Sequence, residues 1–543
     1  MSSTTLKAVR IVCVAFGLAV LALMLFYPFE GDQATSAVGG EMALRRGAIA
    51  YNDFIDTRPQ LIFWIYGLAS MLFGHHEWSI RAFDMIYQIA SLFIFYFVLR
   101  KILKDETVAF VSVIVYTIVY VGTGYDSTAL TETFFFLPGI LLLYYTEDIA
   151  KDRKAFRSGL YAGLCSGILF WLKFTFIAAS GAAIIYLIIN RSVKRQDIFR
   201  FCLGHLLSLG ALIGMYVLFL SVTGALPRFL EAMHWVRGYT IGTYGTPTKA
   251  LPGSSLFKMY PNGFILEYGL TCLVLLAIGI VNVVRKQAQL ASGYSHLCLQ
   301  VLIGLLAVYY EGKSYKHHYA RFFFASIPLI SYGLLTIFRI LRTSYNKWRS
   351  QNKLQGLLRA GLLLPLIPIA LIYSPVIRLT YPVHLAYLGF MGKDVAQDIE
   401  NNSLAYNSQV YYYKELTTVA DTLRPKLGST DEIFFWGEDV GVYFQLNRLP
   451  TTICLKSMSM ATPYYTPVSW QQSVLQSLEL APTRFVIAEV DDAGEITTSS
   501  SVKMPKLSEN WSIESWPELS SFVHSHYSER APIGHFRIFE LNR

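Results

Sequence analysis

Two acidic landmarks follow the first apolar run of the chain. Residues 11–29 are nearly all apolar and end in Glu30-Gly31-Asp32-Gln33. Some two dozen residues later comes Tyr51-Asn52-Asp53-Phe54-Ile55-Asp56-Thr57-Arg58-Pro59-Gln60-Leu61. An ionised side chain at the edge of a hydrocarbon layer is costly and is usually retained for function. Placed there, Asp32 is a candidate general base, and Asp56 with Arg58 offers a second carboxylate beside a cation suited to phosphate. The plainer alternative is that Asp32 marks the water interface.

Further polar groups interrupt the apolar pattern. The stretch Gly122-Thr-Gly-Tyr-Asp-Ser-Thr-Ala-Leu-Thr-Glu132 carries Asp126 and Glu132, and Glu132 would also serve at a helix N-terminus, where carboxylates oppose the dipole. Lys173 stands alone in Phe170-Trp171-Leu172-Lys173-Phe174, where it either snorkels to water or meets an anion. Glu311-Gly-Lys-Ser-Tyr-Lys-His-His-Tyr-Ala-Arg321 gathers Lys316, His317, His318, Tyr319 and Arg321, as phosphate donors or as a charged rim. Paired histidines with a carboxylate could bind a metal, but no spaced ligand set is present, so no metal or other cofactor is expected. Residues 224–263 read as a long external loop with Arg228, Trp235, Arg237 and several tyrosines. Arg228 and Arg237 are phosphate candidates, and the aromatic rings would either stack on sugars or form an interfacial belt.

The elements that carry these residues belong to a membrane protein. The chain has 543 residues, of which 53% are hydrophobic and 15% charged, and its mean hydropathy is +0.40. The net charge of +9 is unevenly spread: from Arg378 onward there are 13 basic and 19 acidic residues, and the remainder carries the basic excess. That excess flanks apolar runs, and no aromatic-basic surface for nucleic acid is present. Five of six cysteines lie in apolar segments, leaving Cys454 alone in the polar region, so no disulfide supports it. The first apolar run lacks a small-residue cleavage pattern and reads as an uncleaved helix.

Spans are expected near 9–29, 78–99, 107–124, 131–147, 158–171, 175–190, 200–222, 264–284, 297–310, 319–338 and 356–376. The apolar stretch 158–190 has basic clusters at both ends and, as one helix, would be about 50 Å long, so it is expected to break near Lys173. Eleven spans then put the basic clusters on one side and Asp32 with the C-terminal region on the other. Residues 33–46 and 59–73 are expected as interfacial helices. The fold expected is thus a polytopic α-helical transmembrane domain over 1–377 and a soluble α/β domain over 378–543. In the latter, 432–437 and 484–489 read as buried parallel strands, 414–427 as a helix and 535–541 as an edge strand.

The first external segment resembles that of the GT-C glycosyltransferases that use polyprenyl-phosphate sugars, above all the protein O-mannosyltransferases and the lipid A aminoarabinose transferases. Their loop has an acidic residue after the first helix and then Asp-x-x-Pro-Pro or Asp-Lys-Pro-Pro. Here Arg58 stands for the Lys and Gln60 for the second Pro. Ala129-Leu130-Thr131-Glu132 resembles the family's Ala-x-Leu-Asp, Lys173 its Leu-Thr-Lys-Gly turn, and His317-His318-Tyr319 with Pro328 its His-Tyr followed by an apolar Pro-containing helix.

The resemblance implies an inverting transferase in a bacterial inner membrane with its site on the periplasmic side. It would move a sugar from a polyprenyl-phosphate donor in the lipid to an extracytoplasmic acceptor. Asp32 and Glu132 are the catalytic candidates. Arg58, Lys173, Arg237, Lys316, His317 and His318 are the phosphate candidates, and Asp56, Asp126 and Tyr319 accompany them. A lipid-linked-sugar flippase and a glycan polymerase or ligase are the competing classes. Internal repeats would favour the flippase, and a large Arg-rich external loop the polymerase.

Overall fold

The computed structural model describes residues 3–149, 154–244, 268–286, 289–311, 315–350, 374–402, 412–456, 460, 466–489 and 513–542. Among the described residues six helices are long and apolar enough to cross a membrane: Lys7–Phe26, Glu77–Leu103, Ala155–Leu172, Arg195–Val222, Ser292–Tyr310 and Lys316–Asn346. Shorter apolar helices occupy Gln60–Phe73, Glu106–Gly122, Phe174–Ile189 and Leu270–Arg285. The chain is an integral membrane protein. The span expected at 356–376 lies almost wholly outside the described residues, as does the 245–263 part of the expected loop.

The chain forms two compact units. The first gathers residues 1–27, 83–214 and 253–386; the second gathers 28–82, 215–252 and 387–543. The sequence reading divides the chain once, at 377/378. In the structure the C-terminal residues share their unit with 28–82 and with 215–252.

Close helix approach organises the first unit. Along the helix Ala155–Leu172, a Cβ on Gly163 would meet the His205 carbonyl at 2.3 Å, and one on Gly159 the Phe201 carbonyl at 2.1 Å. Small residues four apart let two backbones touch where lipid offers no hydrophobic drive between helices. That helix ends at Leu172, Lys173 is extended (φ −162°, ψ 127°), and a 3-10 turn begins at Phe174. The apolar stretch is therefore broken at the lysine, as its length requires.

In the second unit α1 (Gly31–Arg46) packs along α2 (Gln60–Phe73). A Cβ on Gly40 would fall 2.7 Å from the Gly67 nitrogen. Residues 33–42 of α1 are buried, so this helix is covered by protein over that stretch, whereas α2 exposes Trp64, Leu68, Met71 and Leu72 in one stripe. Only α2 has the one-sided apolar exposure expected of an interfacial helix. The expected loop at 224–263 is corrected: Leu226–Tyr244 is a helix, α3. Its Ala232 and Trp235, one turn apart, are both buried, so Trp235 offers no face to a sugar. The glycines and prolines of the stretch masked this periodicity.

A four-stranded sheet completes the unit, in the order β1 (Ile433–Trp436), β2 (Phe485–Glu489), β4 (Phe536–Leu541), β3 (Tyr527–Glu529). β1 and β2 are parallel and wholly apolar but for Glu489; the other pairs are antiparallel. The strand expected at the edge, β4, lies between two partners. Its alternation records a half-buried face (Phe536, Ile538 and Phe539 are buried), not an unpaired edge. The helix Tyr413–Leu423 precedes β1 and buries Leu416, Val419, Ala420 and Leu423.

Candidate functional site

The candidate residues form two clusters, one in each unit. In the second unit Asp32 lies in the first turn of α1 and not at the end of the preceding span. A capping box builds that turn: the Asp32 N–H donates to the Glu30 carboxylate at 3.0 Å, and the Glu30 N–H donates to the Gln33 side chain at 3.0 Å. Arg81, fully buried, donates to the same Gln33 oxygen at 2.6 Å and to the Pro28 carbonyl at 2.5 Å. The helix N-terminus favours the Asp32 negative charge.

Arg58 anchors the second acidic landmark to the first. Its Nε and Nη2 donate to the two Asp56 oxygens at 2.8 and 2.7 Å; its Nη1 donates to the Asp32 carbonyl at 2.7 Å and to Ser36 Oγ at 3.0 Å. Four of its five N–H donors are thus engaged within the protein, and its Nη1 also lies 3.8 Å from Asp32 Oδ1. Arg58 is here an organiser of the Asp32 turn more than a cation held open for phosphate. Gln60, standing where the resembled pattern has proline, accepts from the Ala50 N–H at 2.7 Å and so satisfies the loop backbone.

Sequence reasoning missed Lys456, whose Nζ is 3.1 Å from Asp32 Oδ1. Burial would discharge this lysine, but Asp32 and Glu438 outweigh it and hold its proton more tightly than usual. Lys456 has no motif around it. Its only local signal is the apolar run Ile453-Cys454-Leu455, which anchors the segment. Arg237, by contrast, is exposed on α3 and has no ion pair among the described residues. Arg228 bonds the Asn52 carbonyl.

The first unit holds the other cluster. Lys173 Nζ is 2.7 Å from Glu132 Oε1 and 3.4 Å from Glu311 Oε2. Arg321 chelates Glu311 at 2.5 and 2.8 Å and lies 3.7 Å from Glu132. His318 is 3.3 Å from Glu311 and 3.9 Å from Glu132, and Lys316 pairs with Asp126 at 2.7 Å. Burial alone would raise the Glu311 carboxyl, but Lys173, Arg321 and His318 hold it well below the usual carboxylate range. Glu132 does not cap its helix; it accepts from Thr131 at 2.6 Å and pairs with Lys173. Its turn is set by Ala129, held at φ +58° with its N–H donated to Tyr120 Oη at 3.3 Å, while Tyr120 donates to the buried Asp84. Tyr319 is buried edge-on to Phe322, with ring centroids 6.0 Å apart.

Glu132, His317 and His318 bring ligand atoms within 4.8 Å of one another and could together address a metal ion. Lys173 on Glu132 Oε1 competes for that position. The two carboxylates Glu132 and Glu311 are matched by Lys173 and Arg321.

The fold is similar to that of solved proteins far removed in sequence. ArnT from Cupriavidus metallidurans, 11% identical, superimposes with a TM-score of 0.57 over 99% of this chain and 98% of that one. The same protein bound to undecaprenyl phosphate gives 0.54 at 10% identity, over 99% and 98% of the two chains. The oligosaccharyltransferase of Archaeoglobus fulgidus, 10% identical, gives 0.55 over 98% of this chain and 74% of its own. The chain shares their fold. In sequence, residues 57–219 match the dolichyl-phosphate-mannose-protein mannosyltransferase family, a stretch that includes Arg58, Glu132 and Lys173. Among curated proteins none matches.

Proposed function

We propose that the chain is an inverting glycosyltransferase that moves a sugar from a polyprenyl-phosphate donor to an extracytoplasmic acceptor. The observation that carries this reading is the fold shared over 98% of the chain of ArnT, whose structure holds undecaprenyl phosphate. In the proposed reaction the acceptor hydroxyl gives its proton to Asp32 as it attacks the anomeric carbon, and polyprenyl phosphate leaves with the electron pair of the glycosidic bond. Lys173, His317, His318 and Lys316 are the proposed phosphate contacts, stabilising charge that develops on the leaving group. Arg58 and Asp56 hold the Asp32 turn, Glu132 orients Lys173, and Asp126 orients Lys316. Arg237 is proposed only as a donor contact from α3.

The proposed topology has eleven spans in a bacterial inner membrane, with both clusters and the C-terminal residues on the outer side, as the basic loop clusters require. No cofactor enters the proposed chemistry.

The test is Asp32→Asn in purified protein. It keeps shape and hydrogen bonding but removes basicity, so turnover should fall by about 10² to 10⁴ while donor KM stays near that of the wild type. Near-normal turnover would leave Asp32 an interface marker and make Glu132 the leading carboxylate.

A further inference from the structure

We infer that Lys456 is a positioning residue for the transfer reaction, fixing the Asp32 carboxylate in the orientation from which it receives the acceptor proton. The inference rests on the reading of Asp32 as the base.

Two cations address the same oxygen of Asp32, and they are not equivalent. Arg58 stands 3.8 Å from Oδ1, and its charge is answered by the chelating Asp56. Lys456 stands at 3.1 Å and is the nearer partner. The Asp32 side chain is 39% exposed, so a carboxylate held at Oδ1 still reaches solvent and an incoming hydroxyl. Losing this contact would weaken the hold on Asp32 Oδ1, and a misplacement of about 1 Å can cost a hundredfold in rate.

The chain takes pains to deliver this lysine. The Ile55 N–H donates to the Ile453 carbonyl at 2.9 Å, and Ile55 forms a parallel bridge with Cys454. Arg46 donates to the Pro450 carbonyl at 3.1 Å. Cys454 and Leu455 are fully buried, and the Cys454 N–H is bound by Thr452 at 3.2 Å. The segment before Lys456 is therefore tied at two points, Ile55 and Arg46, to the polypeptide around α1 and the Asp56–Arg58 loop. Such ties fix a backbone from which a lysine reaches one target.

Lys456 also answers more than Asp32. Glu30 caps α1 and Glu438 follows β1, and both act electrostatically on the lysine. The Glu438 carbonyl would lie 3.8 Å from a Cβ on Gly31, so this loop packs against the start of α1. Removing the lysine would take away the nearer of the two cations that address Asp32 Oδ1. The C-terminal part of the chain would on this account supply a working residue, in addition to any acceptor surface.

The test compares wild type, Lys456→Gln and Lys456→Arg as full-length protein, reading kcat, donor KM and melting temperature. Lys456→Gln should lower kcat about tenfold or more with donor KM within about twofold, and Lys456→Arg should recover most of the loss. An unchanged kcat, a rise in donor KM equal to the loss, or a loss that arginine does not recover would each overturn the assignment. So would a fall in kcat explained by a matching fraction of unfolded protein. Failure of the underlying reading looks different: the wild type itself would release no polyprenyl phosphate. In that case the positioning role falls with it. The pairing remains measurable in the melting temperatures of Lys456→Gln, Asp32→Asn and the double variant, which should not be additive if the two groups interact.

Discussion

Replacing Arg58 separates its structural role from a direct hold on donor phosphate. The guanidinium holds both oxygens of Asp56 at 2.8 and 2.7 Å and also binds the Asp32 carbonyl and Ser36. The two side chains are 14% and 6% exposed, so the pair is largely withdrawn from water. Breaking a buried pair from one side typically costs about 3–5 kcal/mol, because the surviving charge is left without compensation. Arg58→Ala should therefore destabilise the protein by about 3 kcal/mol. Asp56→Asn in the same chain should return a good part of that loss. Arg58→Lys keeps the charge but cannot span two carboxylate oxygens and a carbonyl together, and should fall between. Equilibrium unfolding in micelles gives the stabilities, and donor KM is read in parallel. Unchanged stability with a raised donor KM in Arg58→Ala would instead make Arg58 a phosphate ligand.

Lys173→Met leaves Glu132 without its 2.7 Å partner and should destabilise by about 3 kcal/mol, whereas the double variant with Glu132→Gln should recover part of the loss; unfolding midpoints decide. Glu132→Gln alone should lower turnover by about tenfold or more, since Lys173 loses the group that orients it; full activity would make the pair structural. Asp439 supplies a pH test: burial first, and then Glu489, keep its carboxyl protonated well above the usual range in the folded chain. The unfolded chain releases that proton near about pH 4, so native stability from this group declines as pH rises above that point. Asp439→Asn has no proton to lose and should melt higher than wild type at pH 8, with the difference shrinking toward pH 4. A difference independent of pH would contradict the assignment.

Much of this architecture is legible because membranes impose simple rules. Apolar length locates six of the expected spans in helices able to cross a membrane, and the break at Lys173 follows from a stretch too long for one crossing. The buried strands β1 and β2 are visible as unbroken apolar runs. What long-range pairing decides was not legible. β4 shows one alternating face in sequence, yet has partners on both sides. The helix α3 hides its apolar side behind glycines and a proline. At the site, the acidic and basic residues stood out by type, but their engagement did not. Arg58 proved to be spent on Asp56, and Lys456 reaches Asp32 only because 451–456 runs beside the Ile55 loop, nearly four hundred residues earlier. Local sequence carries no trace of that contact.

In the proposed reaction the sugar leaves a polyprenyl-phosphate carrier. Purified wild-type protein in vesicles, given polyprenyl-phosphate hexose labelled in the sugar together with an extract of cell-envelope acceptors, tests it most directly. Label should pass to the acceptor with stoichiometric release of polyprenyl phosphate, and both should be lost in Asp32→Asn. Intact labelled lipid carried across the bilayer, with no release of polyprenyl phosphate, would contradict it and mark a flippase.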